Sequence, residues 1–231
     1  MASPLYPRLP GLETLLSEPG LAPASRCLAL ALGAVATSRF EAAENAFDAA
    51  LEQGASPLEV LEIAASAHLF AGFPRGINGL EACHRALSRR AADFEVRMAA
   101  VENFPAAGFG VRGRRLFEAI YASGGEEVLD QLGRLFPPFR GWILEHAYGQ
   151  VLAREGASGR LRETAAVGAL VVLDVPRQLR SHIRGALRLG ATPPEVAAVV
   201  RTMDLLATPV QAESARAALA AEGITPPPRL A

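Results

Sequence analysis

The stretch Gly159–Val196, GRLRETAAVGALVVLDVPRQLRSHIRGALRLGATPPEV, reads as two helices and the start of a third. Glu163 lies near the start of the first helix, ahead of the apolar run Thr164–Leu173, and His182 lies about two turns into the second. Between them Asp174 offers a cap and Pro176 supplies a first helical position. Gly190 stops the second helix, and Thr192-Pro193-Pro194-Glu195 is a capping box for the third.

The same layout occurs earlier, from Arg26 to Val60. Superposing Gly54 on Gly190 gives an offset of 136 and aligns GASPLEV with GATPPEV, Arg26 with Arg162, Leu51 with Leu187 and Glu59 with Glu195. Agreement that extends back to the arginines points to a tandem duplication. Cys27 and Ala46 occupy the places of Glu163 and His182, so one polar site remains. The expected units are residues 11–90, a degenerate copy, and 110–222, the copy that keeps the pair, with Phe104–Gly108 as the linker.

Further segments keep helical periods. Leu12–Glu18, Ala24–Ala36, Arg39–Gln53, a helix from the Ser56–Glu59 capping box to Ala71, and Pro74–Leu87 are followed by a solvated helix to Val101. Arg114–Tyr121, Glu126–Leu135 and Trp142–Arg154 follow, separated by Gly-Gly, Pro-Pro and Gly breaks. Pro4, Pro7 and Pro10 keep the start extended, Thr37-Ser38 offers a cap for the second long helix, and no stretch alternates strongly enough to require a sheet. The fold expected is all-α.

The chain has 231 residues, half of them hydrophobic, enough for a substantial core. A formal net charge of −1 with dispersed arginines gives no case for nucleic acid or an anionic membrane. No lysine occurs, which removes Schiff-base chemistry and a P-loop lysine. Cys27 and Cys83 form no CxxC, and the start lacks a signal-peptide pattern, so the expected setting is the reduced cytoplasm. The apolar runs are shorter than the roughly 20 residues that span a bilayer.

Of the four histidines, His68 reads as a partly buried ring bonded to a carbonyl, and His146 as packing or interface. Glu81 and His84 form an ExxH without the companions that a di-iron site needs. Arg112, Arg114 and Arg115 read as a solvated helix start or as an anchor for a carboxylate or partner. Glu163 and His182 stand about 16 Å and about 9 Å from the turn along their helices. They meet only if the helices cross or something bridges them, and the residues read either as a buried structural pair or as a catalytic one.

The segment FRGWILEHAYGQVLAREGASGRLRET (Phe139–Thr164), an apolar helix, and RSHIRGALRLGATPPEV together resemble the carboxymuconolactone decarboxylase family, which includes the AhpD-like alkylhydroperoxidases. The resemblance covers about Val111–Val210, with Gly11–Leu87 similar to an altered second copy. It implies an AhpD-like helical fold and a homo-oligomer, here a trimer of two-repeat chains standing in for a hexamer. The AhpD-like branch uses a CxxC, and those positions are Val175 and Gln178 here, so the peroxidase chemistry has no thiolate. The decarboxylase branch implies cofactor-free, metal-free decarboxylation of a small carboxylate or lactone ligand. In it His182 is the acid or donor, Glu163 its orienting or relaying partner, and Arg162 either a candidate substrate-carboxylate anchor or, at least as readily, a structural ion-pair partner. An inactive structural or regulatory member is the alternative. Thr208-Pro209 departs from the family's Gly-x-Pro.

Overall fold

Proline, glycine and capping side chains set the helix boundaries in the computed structural model, which describes residues 9–90 and 108–230. The early prolines Pro4 and Pro7, the solvated helix up to Val101 and the linker residues Phe104–Ala107 lie outside the described residues. The helices are α1 (Leu12–Ser17), α2 (Pro23–Ala36), α3 (Phe40–Glu52), α4 (Pro57–Ala71), α5 (Phe73–Arg90), α6 (Phe109–Tyr121), α7 (Gly125–Leu135) and α8 (Pro137–Trp142). A π-helix (Ile143–Leu152) follows α8, and then α9 (Gly159–Leu173), α10 (Pro176–Arg188), α11 (Pro193–Thr202) and α12 (Pro209–Ala221). The architecture is all-α, with no strand among the described residues, and no helix among them is long and apolar enough to cross a membrane.

Local chemistry accounts for the boundaries. Ser56 with Glu59, Thr192 with Glu195 and Thr208 with Gln211 form capping boxes, each with proline at the start of its helix. Gly54 and Gly190 leave their helices at φ 92° and 94°, where a side chain would be strained. Two expected caps do not form. Ser38 and Asp174 occupy the left-handed region at φ 61° and 52°, which moves the N-cap position one residue on, to Arg39 and Val175, neither of which makes a side-chain cap bond.

The starts of α2, α3, α4 and α5 at Pro23, Phe40, Pro57 and Phe73 are matched, 136 residues later, by those of α9, α10, α11 and α12. Helices α2 and α9 run through one large apolar core built from both sets. They pack closely: a Cβ on Gly168 would lie 2.9 Å from the Ala29 carbonyl oxygen. Around this crossing, two buried arginines reach reciprocally into the other set. Arg26 donates to the carbonyls of Ala198 (3.3 Å) and Glu18 (3.2 Å), and Arg162 donates to those of Glu62 (3.4 Å) and Arg154 (3.0 Å). Under the same offset Ala198 corresponds to Glu62 and Arg154 to Glu18, so the two networks have the form of a local two-fold exchange.

A smaller apolar cluster, including Phe117, Ile120, Leu129 and Tyr148, joins α6, α7 and the π-helix. Gly113 and Gly149 bring the backbones of α6 and the π-helix so close that a Cβ on either would overlap a carbonyl oxygen, that of Leu144 or of Phe109. A cavity lies between the two clusters, lined by residues of both.

Candidate functional site at the Glu163–His182 cavity

Helix α9 is apolar almost all round, and Glu163 sits in it at 2% exposure. Its partner is one helix away: His182 Nδ1 lies 2.9 Å from Glu163 Oε2, so Nδ1–H donates to the carboxylate and fixes the tautomer. The edge of the imidazole meets Phe70 with centroids 5.6 Å apart. The His182 side chain is 14% exposed and lines the cavity. Its Nε2 makes no hydrogen bond among the described residues. Burial opposes the imidazolium, but the charge of Glu163 and its hydrogen bond prevail and hold the His182 pKa above its ordinary value.

The contact is direct, with no bridging side chain, and Gly185 explains how. Counted from the hairpin turn, Gly185 stands about 14 Å along α10, close to the level of Glu163 at about 16 Å. A Cβ at Gly185 would overlap Glu163 Oε2 and lie 3.1 Å from its Cδ. The bare backbone lets the carboxylate lie against α10 and reach the ring one turn earlier.

The cavity has a volume of about 620 Å³ and is walled by leucines and aromatic rings from α4, α6, α7, α9 and the π-helix. At the His182 wall stand Gln178 and Ser181 from α10, with the phenols of Tyr121 and Tyr148 also on the lining. Tyr148 donates to Tyr121 across 3.4 Å, which leaves the Tyr121 proton for another acceptor. Burial, and then the Tyr121 phenol and the Glu163 charge, raise the Tyr148 pKa well above its usual value. Burial also raises that of Tyr121, opposed by the bond from Tyr148 and assisted by Glu163. Both phenols therefore stay protonated as donors at neutral pH.

Arg162 is not brought to the cavity. It is 3% exposed, donates to Glu62 Oε2 at 2.9 Å, to Ala157 and to Arg154, and is absent from the lining. Its place is structural, because it neutralises Glu62 inside the core. Val175 and Gln178 line the cavity without thiols, while Cys27 and Cys83 are fully buried elsewhere, Cys83 with a pKa pushed up to about 12 by burial. Among the described residues no group of three or more His, Cys, Asp or Glu side chains could hold a metal ion; Glu81 and His84 lie on an exposed face of α5.

His68 Nδ1 donates to the Ala65 carbonyl at 2.6 Å, as expected, and its Nε2 meets His146 Nε2 at 3.0 Å, a pairing across 78 positions that periodicity does not reveal. Of the arginines after the linker, Arg112 donates to the Gly149 carbonyl and Arg114 pairs with Glu118 and Glu126. Tyr121, Tyr148 and Gly185 were missed from sequence. For Gly185 a signal existed: under the 136 offset it replaces Ala49, in the same hairpin where Glu163 replaces Cys27.

Residues 137–221, which include Glu163 and His182, match the sequence model of the carboxymuconolactone decarboxylase family. The match covers α8 to α12 and not the earlier helix set. The chain is 33% identical over 133 residues to Peroxisomal protein 2 of Schizosaccharomyces pombe, covering 54% of this chain and 57% of that protein. It is also 33% identical over 88 residues to Peroxisomal protein 2 of Saccharomyces cerevisiae, covering 38% and 31%. The chain thus spans little more than half the length of the first of these relatives and about a third of the second.

Proposed function

We propose that Glu163 and His182 form a cofactor-free acid–base pair acting on an enolisable carbonyl compound, in the manner of carboxymuconolactone decarboxylase. The observation that carries this reading is the 2.9 Å Nδ1–Oε2 bond, in a ring that lines the cavity and whose opposite nitrogen has no hydrogen bond among the described residues. In the decarboxylating form, the bond from the carboxylate to carbon breaks, carbon dioxide leaves, and the electron pair passes through the conjugated system to a dienolate oxygen. Protonated His182, favoured by Glu163, then delivers a proton to carbon. Tyr121 supplies a neutral donor to the developing oxyanion.

The tandem duplication belongs to the same proposal. It is supported by the constant offset of eight helix starts and by the reciprocal arginines, and the first set, with Cys27 and Ala46, carries no acid–base pair. A trimer of such chains and a cytoplasmic location are further parts of it. The name of both relatives refers to the peroxisome, and cell fractionation distinguishes the two locations. An inactive structural member is the competing reading, and a thiol peroxidase is disfavoured by Val175 and Gln178.

Carbon dioxide release from γ-carboxymuconolactone, together with solvent-deuterium incorporation next to the carbonyl, tests the chemistry. General acid–base groups contribute about 10²–10⁴-fold, so His182→Gln should lower either rate by that order. Equal rates in the variant would remove His182 from the mechanism.

A further inference from the structure

We infer that the cavity takes a ligand with an extended aliphatic body and a single oxygen-bearing end, such as an acyl ester, because its lining is mainly aliphatic and aromatic, while most of its polar side chains stand on one helix, α10 (Arg177, Gln178, Ser181 and His182), with Gln131 bonded to Arg177. The inference rests on the acid–base reading for which end reacts, but not for what fills the remainder.

Charge is the first argument. A small polycarboxylate needs cationic or hydrogen-bonding partners for every carboxylate once water is excluded. Arg177, the one guanidinium on the lining among the described residues, is exposed and donates to Gln131 at 2.7 Å. Arg162 is held by Glu62, and Arg184 donates to Glu222. The Glu163 carboxylate behind His182 would repel a second negative charge. For one oxygen-bearing group the lining offers His182, Ser181 and Tyr121, and for the rest of a ligand its leucines, valines and phenylalanines.

Size and the mouth supply the second argument. At about 620 Å³ the cavity falls within the range of about 300–1,000 Å³ that holds drug-sized ligands, more room than a single small lactone ring requires. From Phe139 on the lining, an apolar path continues outward: Phe139 packs on Trp142 at 6.0 Å, and Phe136 does so at 5.6 Å. Leu135 and Trp142 are 78% and 58% exposed at this rim. A chain longer than the cavity would emerge along these side chains, which is a use for an otherwise costly apolar surface.

Trp142 is the single tryptophan of the chain, so it reports on its own doorway. Titration of the full chain with methyl cis-parinarate, a neutral ester, should quench Trp142 saturably, at one probe per chain. Methyl decanoate should reverse the quenching at about tenfold lower concentration than cis,cis-muconate, a difference worth about 1.4 kcal/mol. Val128→Phe, which adds a ring to the lining, should weaken probe binding about tenfold or more, and the displacement arm needs no variant.

Absence of saturable quenching, or better displacement by muconate than by the ester, overturns the inference; a second copy of the chain plugging the mouth would appear as the former. If the probe binds while His182→Gln changes no reaction rate, the acid–base reading fails and the apolar-ligand inference stands. If muconate binds and a lactone is turned over while the probe is ignored, the reverse holds.

Discussion

The α2–α3 and α9–α10 hairpins have helix starts separated by the same offset and turn through left-handed Ser38 and Asp174, yet differ where it matters chemically. The first buries Cys27, Ala46 and Ala49, and the second places Glu163, His182 and Gly185 at the same three positions. The first hairpin forms without any ionisable pair of this kind, so the pair is not what holds this geometry. A buried ionisable pair that the first hairpin lacks, against a glycine that makes room for it and beside a cavity, has the marks of a site.

The arginine networks break the comparison hardest. Arg162 neutralises the buried Glu62 carboxylate, whereas Arg26 donates to carbonyls and to Thr202. Replacing Arg162 by Met should destabilise by about 3 kcal/mol or more, since breaking a buried pair strands a charge; the salt bridge from Arg154 to Glu62 sets the lower end. Arg26→Met should cost less, and urea denaturation of both variants checks the order.

Gly185→Ala comes next. The new methyl group would displace the Glu163 carboxylate, with an expected cost of about 1–3 kcal/mol and loss of the His182 bond. Its counterpart, Ala49→Gly, should cost only about 1 kcal/mol. Equal costs measured by denaturation would mean that Gly185 does not shape the site.

The smallest effect is in pH. The His182 pKa is raised in the folded chain, so its contribution is fully present below about 6.5 and is lost as pH rises through the folded value. His68 behaves oppositely. Burial, opposed by the Ala65 carbonyl and reinforced by His146, lowers its pKa, so its neutral form favours the fold above about 6.5, and that contribution declines as pH falls through the window below it. The stability difference between wild type and His182→Gln should therefore shrink from pH 5 to pH 8, and that for His68→Gln should grow; parallel curves would contradict both assignments.

Most of the fold was legible because it is local. Capping boxes at Ser56 and Thr192, prolines at helix starts, and Gly54 and Gly190 at helix ends are short-range statements, and they hold in three dimensions. Glu163 and His182 were also legible as candidates, but their contact was not. Rise along two helices placed them at different heights, and it took a missing Cβ on a third residue to join them. For Arg162 the sequence left a substrate anchor and a structural ion-pair partner both open, and the pairing with Glu62 was not legible because that residue lies 100 positions away. Tyr121 reaches the cavity only through the packing of α6 against a π-helix that the sequence pattern presented as an ordinary amphipathic helix.

The central claim is that the second hairpin carries chemistry on a frame that does not depend on it. The most direct test writes the first hairpin's residues into the second, as the triple variant Glu163→Cys, His182→Ala, Gly185→Ala, and measures solvent-deuterium exchange beside thermal unfolding. The account predicts cooperative unfolding within about 1 kcal/mol of wild type, because an apolar set can replace a buried pair without loss, and abolished exchange. A variant that no longer folds, or one that exchanges at the wild-type rate, would contradict it.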